Sequence, residues 1–260
     1  MRGLWRKGWS VASSKPDGGQ LMSQVRVMTW NLENLFLPGQ DGGPTSEAAF
    51  QAKLAALAAV IDQVAPDLAA VQEVGPDPAL ARLQARLTHQ LPHAAIGDPD
   101  DRQIRVAILS AHPLADITSV GPFPPGVRAV QTKDEIFDDP TTAVDEAVTR
   151  QMGRGALAAT IQVDGTPVTV VTAHFKSKLI NYARQLGLVG GSRFAPNDEG
   201  ERLRYAGYAL FRRTGEAMTA RAHLDRLLAD PADPTVGLGR ERAVVFCGDL
   251  TGPMPATGPM

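Results

Sequence analysis

The sequence predicts an α/β domain in which strands and helices alternate along the chain and pack in layers. Three observations indicate this fold class. The chain has 260 residues, a length at which a single α/β domain is common. Apolar residues make up 43% of it, which is enough to form a buried core. Beyond residue 24, short apolar runs alternate with longer segments whose apolar residues recur every three or four positions, and this alternation favours a layered architecture.

The first half of the domain holds three predicted strands and two predicted helices. Residues Val25–Trp30 alternate in polarity, which predicts the first strand. An amphipathic helix is predicted next. Its bounds are placed at Ser46 and Val64, because Thr45 or Ser46 can cap its start and Pro66 ends it. The other elements are a strand over Leu68–Val71, a helix that carries Leu80, Leu83 and Leu87, and a strand over Ile104–Leu109.

Charge divides the second half of the chain. From Asp98 to Glu146 ten acidic residues stand against four basic ones, and the Pro-rich part from Gly121 onward predicts a long surface loop. From His174 to Arg226 the balance reverses, with ten basic residues against five acidic ones. The whole chain has a net charge of −2, which excludes binding of nucleic acid by bulk positive charge alone.

A hairpin, a long helix and a final strand are predicted in this second half. Strands Ala156–Val163 and Val168–Ala173 flank an Asp-Gly turn signal, which we place in a loop of four residues. The helix is predicted over about Glu199–Ala229 and the strand over Ala243–Cys247. The apolar residues expected on the buried face of the helix are Leu203, Leu210, Met218, Leu224 and Leu228.

The two ends of the chain are expected to lie outside the folded domain, which we place at residues 24–250. Residues 1–23 predict a disordered extension, and residues 251–260 predict an irregular tail. The chain shows neither the apolar region of a secretory signal nor an apolar run of about 18 residues, so we expect no membrane span and a cytoplasmic location. The single cysteine, Cys247, excludes an intrachain disulfide, a zinc finger and a CxxC redox site.

Polar side chains directly follow four of the predicted strands: Asn31 with Glu33, Glu73, His174 and Asp249. Because ligand sites in α/β sheets gather just outside strand ends, these side chains are candidates for one site. A carboxylate and an amide, such as Glu73 and Asn31, offer the hard oxygen ligands that suit Mg²⁺ or Mn²⁺. His174 can bond a phosphoryl oxygen or transfer a proton, and Asp249 can orient a water or protonate a leaving oxygen.

Each of these residues also has a purely structural interpretation. A strand-end carboxylate such as Glu73 is often solvated or caps a turn, and Asn31 belongs to a common turn-forming type. A lone histidine such as His174 is more often structural than functional. The arginines between Arg193 and Arg226 fit a solvated helix face as well as a phosphate-binding surface. No GxxxxGK[ST], HExxH or GxSxG motif is present, which leaves P-loop, zincin and hydrolase-elbow sites without support.

Four short strings, taken together and in order, resemble the endonuclease/exonuclease/phosphatase superfamily, whose members share the deoxyribonuclease-I-like fold. They are Thr29–Phe36 (TWNLENLF), Val71–Val74 (VQEV), Thr172–Lys178 (TAHFKSK) and Cys247–Leu250 (CGDL). The match in order and spacing extends from Val25 to Leu250, which is nearly the whole chain. The resemblance implies two packed β-sheets flanked by helices, a four-layer α/β sandwich.

The resemblance also implies roles for individual residues. Glu73 and Asn31 would belong to a site for Mg²⁺ or Mn²⁺, with Glu73 as the principal carboxylate ligand. His174 would contact the scissile phosphate, and Asp249 would position the attacking water or protonate the leaving group. Asn31, His174 and Asp249 are therefore the expected catalytic residues. Arg154 lies where many members place a substrate contact.

Beside these residues the resemblance is looser, and near its end the sequence departs from the family. Lys176 is a candidate for neutralising phosphate charge. The family places an asparagine two positions after the aspartate, where this chain has Thr251, and continues to a terminal Ser-Asp-His that does not occur before Met260. We therefore expect a truncated domain without its final strands, with weakened activity and an exposed edge at Ala243–Cys247 that allows self-association.

The function implied by the resemblance is hydrolysis of a phosphodiester with a divalent metal, by family a nuclease acting on DNA or RNA. One alternative is a phosphatase or phospholipid-headgroup phosphodiesterase of the same fold. Another is an inactive fragment that only binds phosphate-bearing ligands, so enzyme activity itself stays open. The basic segment favours a polyanionic substrate, whereas the acidic segment argues against broad coating of DNA.

Overall fold

A computed structural model describes residues 24–100, 102–131, 148–175, 198–230, 232 and 243–250. The predicted extension over residues 1–23 and the tail over residues 251–260 lie outside the described residues. So do Lys176 and much of the predicted acidic loop.

The described residues form two mixed four-stranded sheets and three helices, which confirms the predicted α/β class. In chain order they are β1 (Val27–Leu35), α1 (Glu47–Val64), β2 (Leu68–Val74), α2 (Asp77–Gln84), β3 (His93–Ile96), β4 (Arg105–Ser110), β5 (Ala115–Pro122), β6 (Val130–Gln131), β7 (Val148–Thr149), β8 (Gln151–Val163), β9 (Thr166–His174), α3 (Glu199–Leu228) and β10 (Ala243–Asp249). The first sheet has the order β1-β2-β4-β3 and the second the order β10-β9-β8-β5, while β6 and β7 form a small separate ribbon.

Three apolar clusters hold these elements in four layers. The central cluster lies between the sheets and joins β2 and β4 to β8 and β9. A second cluster packs α1 and α2 on the outer face of the first sheet. The third includes Ala220 of α3 and lies on the outer face of the second sheet. The predicted sandwich of two sheets flanked by helices is confirmed.

Helix α1 forms as its sequence predicts. The hydroxyl of Ser46 accepts a hydrogen bond from the Ala49 amide at 3.2 Å, which caps the helix start. Apolar residues spaced three or four apart, among them Phe50, Leu54 and Ile61, are at most 1% exposed. The helix ends at Ala65, whose left-handed backbone precedes Pro66.

Strands β1 and β2 are longer than predicted because both contain a bulge near their carboxyl ends. Asn31 pairs with Gln72 and Leu35 with Val74, so three residues of β1 lie opposite the single residue Glu73. A bulge interrupts the alternation of side chains between the two faces of a strand, and the strand predictions depend on that alternation. Strand β10 is also longer than predicted and includes Gly248 and Asp249.

The hairpin between β8 and β9 corrects the predicted loop of four residues. Val163 pairs with Thr166, which leaves a turn of only Asp164 and Gly165. Both residues have positive φ, 48° and 78°, as a tight two-residue hairpin turn requires. Four strands were not predicted: β3 has only four residues, most of β5 is exposed, and β6 and β7 have two residues each.

The two remaining predicted helices are confirmed with corrections. Helix α2 ends at Gln84, so Leu87 lies beyond it, although that side chain is buried. Helix α3 covers nearly the predicted range, but Leu203, Leu210 and Met218 are exposed rather than in the core. None of the helices in the part of the chain that the structure describes is both long and apolar enough to cross a membrane.

Gly248 is the position in β10 where the fold tolerates no side chain. Its φ is +145°, and a Cβ placed on it would lie 2.0 Å from the carbonyl oxygen of Ala173 on β9. Backbone atoms of a paired strand cannot move aside as a flexible side chain can. We therefore expect Gly248→Ala to lower the free energy of unfolding by about 3 kcal/mol, from strain and overpacking together.

The matched control for this prediction is Gly165→Ala. Gly165 also has positive φ, but nothing lies within 4 Å of the added Cβ, so only the backbone strain of about 1 kcal/mol applies. Urea unfolding of both variants measures the difference. An equal loss of stability in the two variants would contradict the close contact between β9 and β10.

Cys247 on β10 provides a second test of the packing, since it is the chain's single thiol. It packs against the apolar cluster between the sheets. Burial raises the pKa of Cys247 from 9.0 to about 11, and a hydrogen bond with Thr29 opposes this only weakly. At pH 8 the thiolate fraction is then about 100-fold below that of an ordinary thiol.

We expect a disulfide reagent such as DTNB to react with the folded chain about 100-fold more slowly at pH 8 than with the chain unfolded in urea. The rate in the folded chain should continue to rise with pH up to about 11. A rate that reaches its plateau near pH 9 would show that Cys247 is not buried between the sheets.

Candidate active site

The candidate site lies at the carboxyl ends of two parallel strand pairs, one from each sheet. Strands β1 and β2 run parallel in the first sheet, and β9 and β10 run parallel in the second. His174 and Asp249 are the last residues of their strands and are register partners. In α/β sheets, this end of parallel strands is where ligand sites form.

Strand periodicity directs three of the candidate residues toward the space between the sheets. Side chains alternate between the two faces of a strand. His174 shares its face with Val170, and Asp249 shares its face with Val245, and both valines pack between the sheets. Asn31 likewise shares its face with Val27 of β1. The three polar side chains therefore extend the inter-sheet core to its open end.

The side chain of Glu73 reaches the open end of the space between the sheets only because of the bulge in β2. Two residues earlier, Val71 faces the cluster under α1, so regular alternation would direct Glu73 away from the other three residues. Glu73 instead has a φ of 58°, the left-handed conformation. Its Oε1 lies 3.9 Å from Nε2 of His174 across the space between the sheets. A left-handed residue of this kind costs about 1–3 kcal/mol and typically occurs at functional sites.

Hydrogen bonds connect these side chains with one another and with the bulge. The amide nitrogen of Asn31 donates to Oδ2 of Asp249 at 3.0 Å and so joins the two sheets. Nε2 of His174 lies 3.6 Å from the same Asp249 oxygen. The backbone amide of Asn34 donates to Oε2 of Glu73 at 3.0 Å, and that of Glu33 to Oδ1 of Asn31 at 2.8 Å. The structure thus brings together the four strand ends that the sequence singled out.

Arg154 completes the cluster from β8. Its Nη1 lies 2.5 Å from Nε2 of His174, and its Nε donates to Oδ2 of Asp100 at 3.2 Å. A guanidinium can only donate, so Nε2 of His174 is the acceptor in this contact. The side chains of Arg154 and Asp100 are each 14% exposed, so this ion pair is well shielded from solvent.

Asp100 is a functional candidate that the sequence did not indicate. It belongs to the acidic segment Asp98–Glu146, of which only the part from Gly121 onward was predicted to be a surface loop. In the structure its Oδ1 accepts hydrogen bonds from the amides of Arg102 and Ile104, which fixes the carboxylate. The only available signal was the Asp-Pro-Asp-Asp string, which predicts a turn.

A buried polar bridge supports the site from below. The amide nitrogen of Gln72 donates to Oγ1 of Thr172 at 3.0 Å and to Oγ1 of Thr29 at 3.2 Å. Gln72 is 1% exposed and Thr172 is fully buried. Breaking such a bridge would leave buried polar groups without partners, at about 1–3 kcal/mol each. The two sheets are therefore held at a defined spacing directly beneath the candidate residues.

The oxygen atoms at this site suit a divalent cation. The Glu73 and Asp249 side chains are 20% and 32% exposed, so both carboxylates can be reached from solvent. Among the described residues no group of three or more His, Cys, Asp and Glu side chains is arranged to hold a metal ion. Mg²⁺ does not require such a cage, because it is usually bound by one or two carboxylates together with water and substrate phosphate. Glu73 and the amide oxygen of Asn31 fit that pattern.

A cavity of about 760 Å³ lies near the site but on the other side of the second sheet. Phe175 and Leu250, which follow His174 and Asp249 directly, line it together with residues of α3 such as Met218 and Arg221. Phe175 packs in the cluster on the outer face of this sheet, whereas His174 faces the space between the sheets. The cavity is therefore separate from the polar cluster.

This chain is similar to several solved structures. The sequence identities are low, so the similarity shows the fold alone. Sphingomyelinase C from Streptomyces griseocarneus matches with a TM-score of 0.50 and 19% identity, over 88% of this chain and 64% of that one. Humanized D. rerio TDP2 matches with a TM-score of 0.46 and 16% identity, over 87% and 66%. ANGEL2, a 2′,3′-cyclic phosphatase, matches with a TM-score of 0.45 and 15% identity, over 86% and 52%.

This chain thus spans two thirds or less of each of these three chains, and about half of the ANGEL2 chain. No curated protein sequence matches it. The family model for the Endonuclease/Exonuclease/phosphatase family matches residues 28–250, which include all four strand ends of the site. The chain belongs to the Endonuclease/Exonuclease/phosphatase family.

Proposed function

We propose that this chain is a divalent-metal-dependent phosphodiester hydrolase and that its substrate is a nucleic acid. The observation that carries the proposal is the convergence of two carboxylates, an amide, an imidazole and a guanidinium at the open end of the space between the sheets. Phosphoester hydrolysis requires groups that neutralise phosphate charge and groups that handle the proton of the attacking water. This cluster contains both kinds.

Glu73 and Asn31 are the proposed ligands of Mg²⁺ or Mn²⁺. Such an ion, when bound, polarises the phosphoryl group and stabilises the charge that develops on it. The backbone amides of Asn34 and Glu33 orient the two ligands, since each donates to one of their side-chain oxygens. An oriented ligand loses less entropy on binding a cation than a mobile one does.

His174 and Arg154 are the proposed contacts of the scissile phosphate. Arg154 presents a guanidinium whose remaining N–H groups can bond phosphate oxygens, while Asp100 holds its Nε side. Asp249 accepts a hydrogen bond from Asn31 and is the group proposed to orient the attacking water or protonate the leaving oxygen. Lys176 follows this cluster two residues after His174 and keeps its proposed role in neutralising phosphate charge.

A nucleic acid is favoured over other phosphodiesters by charge. The segment from His174 to Arg226 carries ten basic residues against five acidic ones. A local basic surface attracts a polyanion more strongly than it attracts a small ester. The reduced turnover, the self-association and the cytoplasmic location expected from the sequence stay predictions.

The proposal is tested by hydrolysis of bis(4-nitrophenyl) phosphate with and without Mg²⁺ or Mn²⁺. Glu73→Gln should lower the metal-dependent rate by about 10²–10³-fold, the usual cost of losing a charge-stabilising group at the reacting centre. The matched control is Glu47→Gln, because Glu47 pairs with Arg82 on the outer helices and touches none of the site residues. Equal rates for the two variants, or cleavage that needs no metal, would contradict the proposal.

The same preparations separate the substrate classes. Faster cleavage of plasmid DNA, RNA or an abasic duplex than of the chromogenic diester supports a nuclease. Preference for a phosphomonoester or a phospholipid headgroup would replace the nucleic acid by another substrate of the same site. Phosphate binding without turnover on any of them would mean that the chain only binds phosphate-bearing ligands.

A further inference from the structure

Lys53 of α1 contacts the bulge of β1 from the outer side of the first sheet. Its ammonium donates to the carbonyl oxygen of Glu33 at 2.5 Å and to that of Asn34 at 3.0 Å. The side chain is half-buried, and burial lowers the pKa of Lys53, whereas the nearby carboxylates of Glu33 and Glu73 oppose this shift. The sequence alone did not indicate Lys53, since this residue occupies an ordinary position of an amphipathic helix.

The two carbonyl groups belong to the strained part of the bulge. Glu33 and Asn34 have φ values of 52° and 59°, so two consecutive residues other than glycine are in the left-handed region. Such residues are strained and persist only where surrounding contacts hold them. Hydrogen bonds to charged groups are stronger than those between neutral groups, and Lys53 makes two of them at this point.

The peptide unit between Glu33 and Asn34 connects Lys53 with the candidate metal ligand. On one side its N–H, that of Asn34, donates to Oε2 of Glu73 at 3.0 Å. On the other side its carbonyl, that of Glu33, accepts from Lys53. If the carbonyl were released, the left-handed backbone could relax and the amide would no longer be aimed at the carboxylate.

We propose that Lys53 is a positioning residue that holds the Glu33–Asn34 backbone in its left-handed form and thereby orients the Glu73 carboxylate for a divalent cation. The role of Lys53 in cation binding rests on the proposed function. Its role in holding the backbone does not. Groups that orient metal ligands typically change metal affinity by about 10–100-fold when they are removed.

The sign of the effect distinguishes positioning from simple electrostatics. A positive charge beside a cation site repels the cation, so removing the charge of Lys53 should by itself tighten binding. Loss of the orientation should weaken binding. Weaker binding in a variant without the ammonium therefore points to geometry, because the electrostatic contribution has the opposite sign.

The test compares Lys53→Met with Lys53→Arg and with the control Arg86→Met. Methionine removes the ammonium but keeps most of the apolar stem, and arginine keeps a charged donor. Arg86 is exposed and bonds Oε1 of Gln51 on α1, so its loss removes a positive charge near α1 without removing a contact of the bulge. Three quantities are measured: Mn²⁺ affinity by calorimetry, amide hydrogen exchange over residues 31–36, and the midpoint of thermal unfolding.

We expect Lys53→Met to weaken Mn²⁺ binding about tenfold and to speed exchange of the Asn34 and Phe36 amides. Lys53→Arg should restore most of both, and Arg86→Met should change neither. Should Lys53→Met fail to fold, Lys53→Gln, which keeps a neutral donor, is judged by the same criteria. Native-like or tighter Mn²⁺ binding with unchanged exchange overturns the proposal, as does an equal effect in Arg86→Met.

A failure of the proposed function gives a different result. If the unsubstituted chain binds no Mn²⁺, the metal-dependent activity is wrong, and hydrogen exchange alone then decides the role of Lys53. Faster exchange confined to residues 31–36 of the Lys53 variant supports positioning of the backbone. Exchange identical to that of the unsubstituted chain overturns it.

Discussion

The left-handed backbone at Glu73 is the constraint on which the rest of the site depends. Regular alternation directs Asn31, His174 and Asp249 into the space between the sheets but directs Glu73 to the opposite face. The bulge reverses that direction for Glu73 alone and brings its carboxylate to 3.9 Å from His174. A β2 without a bulge would build the same core and would leave the site without the carboxylate proposed as the metal ligand.

The fold supports this strained backbone from three sides. Asn34 bonds the carboxylate, Lys53 bonds the carbonyl groups beside it, and Gln72 fixes the adjacent register through its bridge to Thr172. Hydrogen bonds contribute about 0.5–1.5 kcal/mol each, and more when one partner is charged. Together they are of the same order as the strain of the left-handed residues, about 1–3 kcal/mol each. The bulge can thus persist without a ligand to hold it.

The balance of charge also follows from the layered fold. Arg154 reaches the cluster from the second sheet, and Lys53 reaches it from the helices outside the first sheet. The carboxylates of Glu73 and Asp249 lie between them. A site that contains both positive and negative groups can bind a cation and a phosphate together. The carboxylates attract the cation and repel the phosphate, whereas the basic side chains do the reverse, so each bound ion offsets the repulsion that the other meets.

The sequence predicted those features that depend on local pattern. The apolar spacing of α1 and a cap at Thr45 or Ser46 were predicted correctly, and His174 and Asp249 do lie at the ends of their strands, one and two residues beyond the predicted strand bounds. Features that depend on a reversal of the backbone were missed, because the left-handed residues of the bulge are not glycine and leave no mark in the sequence. Asp100 and Lys53 were missed for another reason: their roles come from contacts with distant segments.

The exposed leucines of α3 show a further limit of pattern-based prediction. Their spacing indicates a helix correctly, but spacing alone does not say which stripe of a helix faces the sheet. Ala209 and Ala220, which are small and drew no attention in the sequence, are buried together with Glu216, Thr219 and His223 of the same helix.

Anomalous diffraction from a crystal of this protein soaked in Mn²⁺ tests most directly whether the bulge builds a functional centre. The expected result is one strong anomalous peak within bonding distance of a carboxylate oxygen of Glu73 and of the Asn31 side chain. Arg154 and His174 should lie on the side of this ion where the phosphate is proposed to bind. A strong peak elsewhere, with no ion beside Glu73, would contradict the assignment of this cluster as the centre of the chemistry.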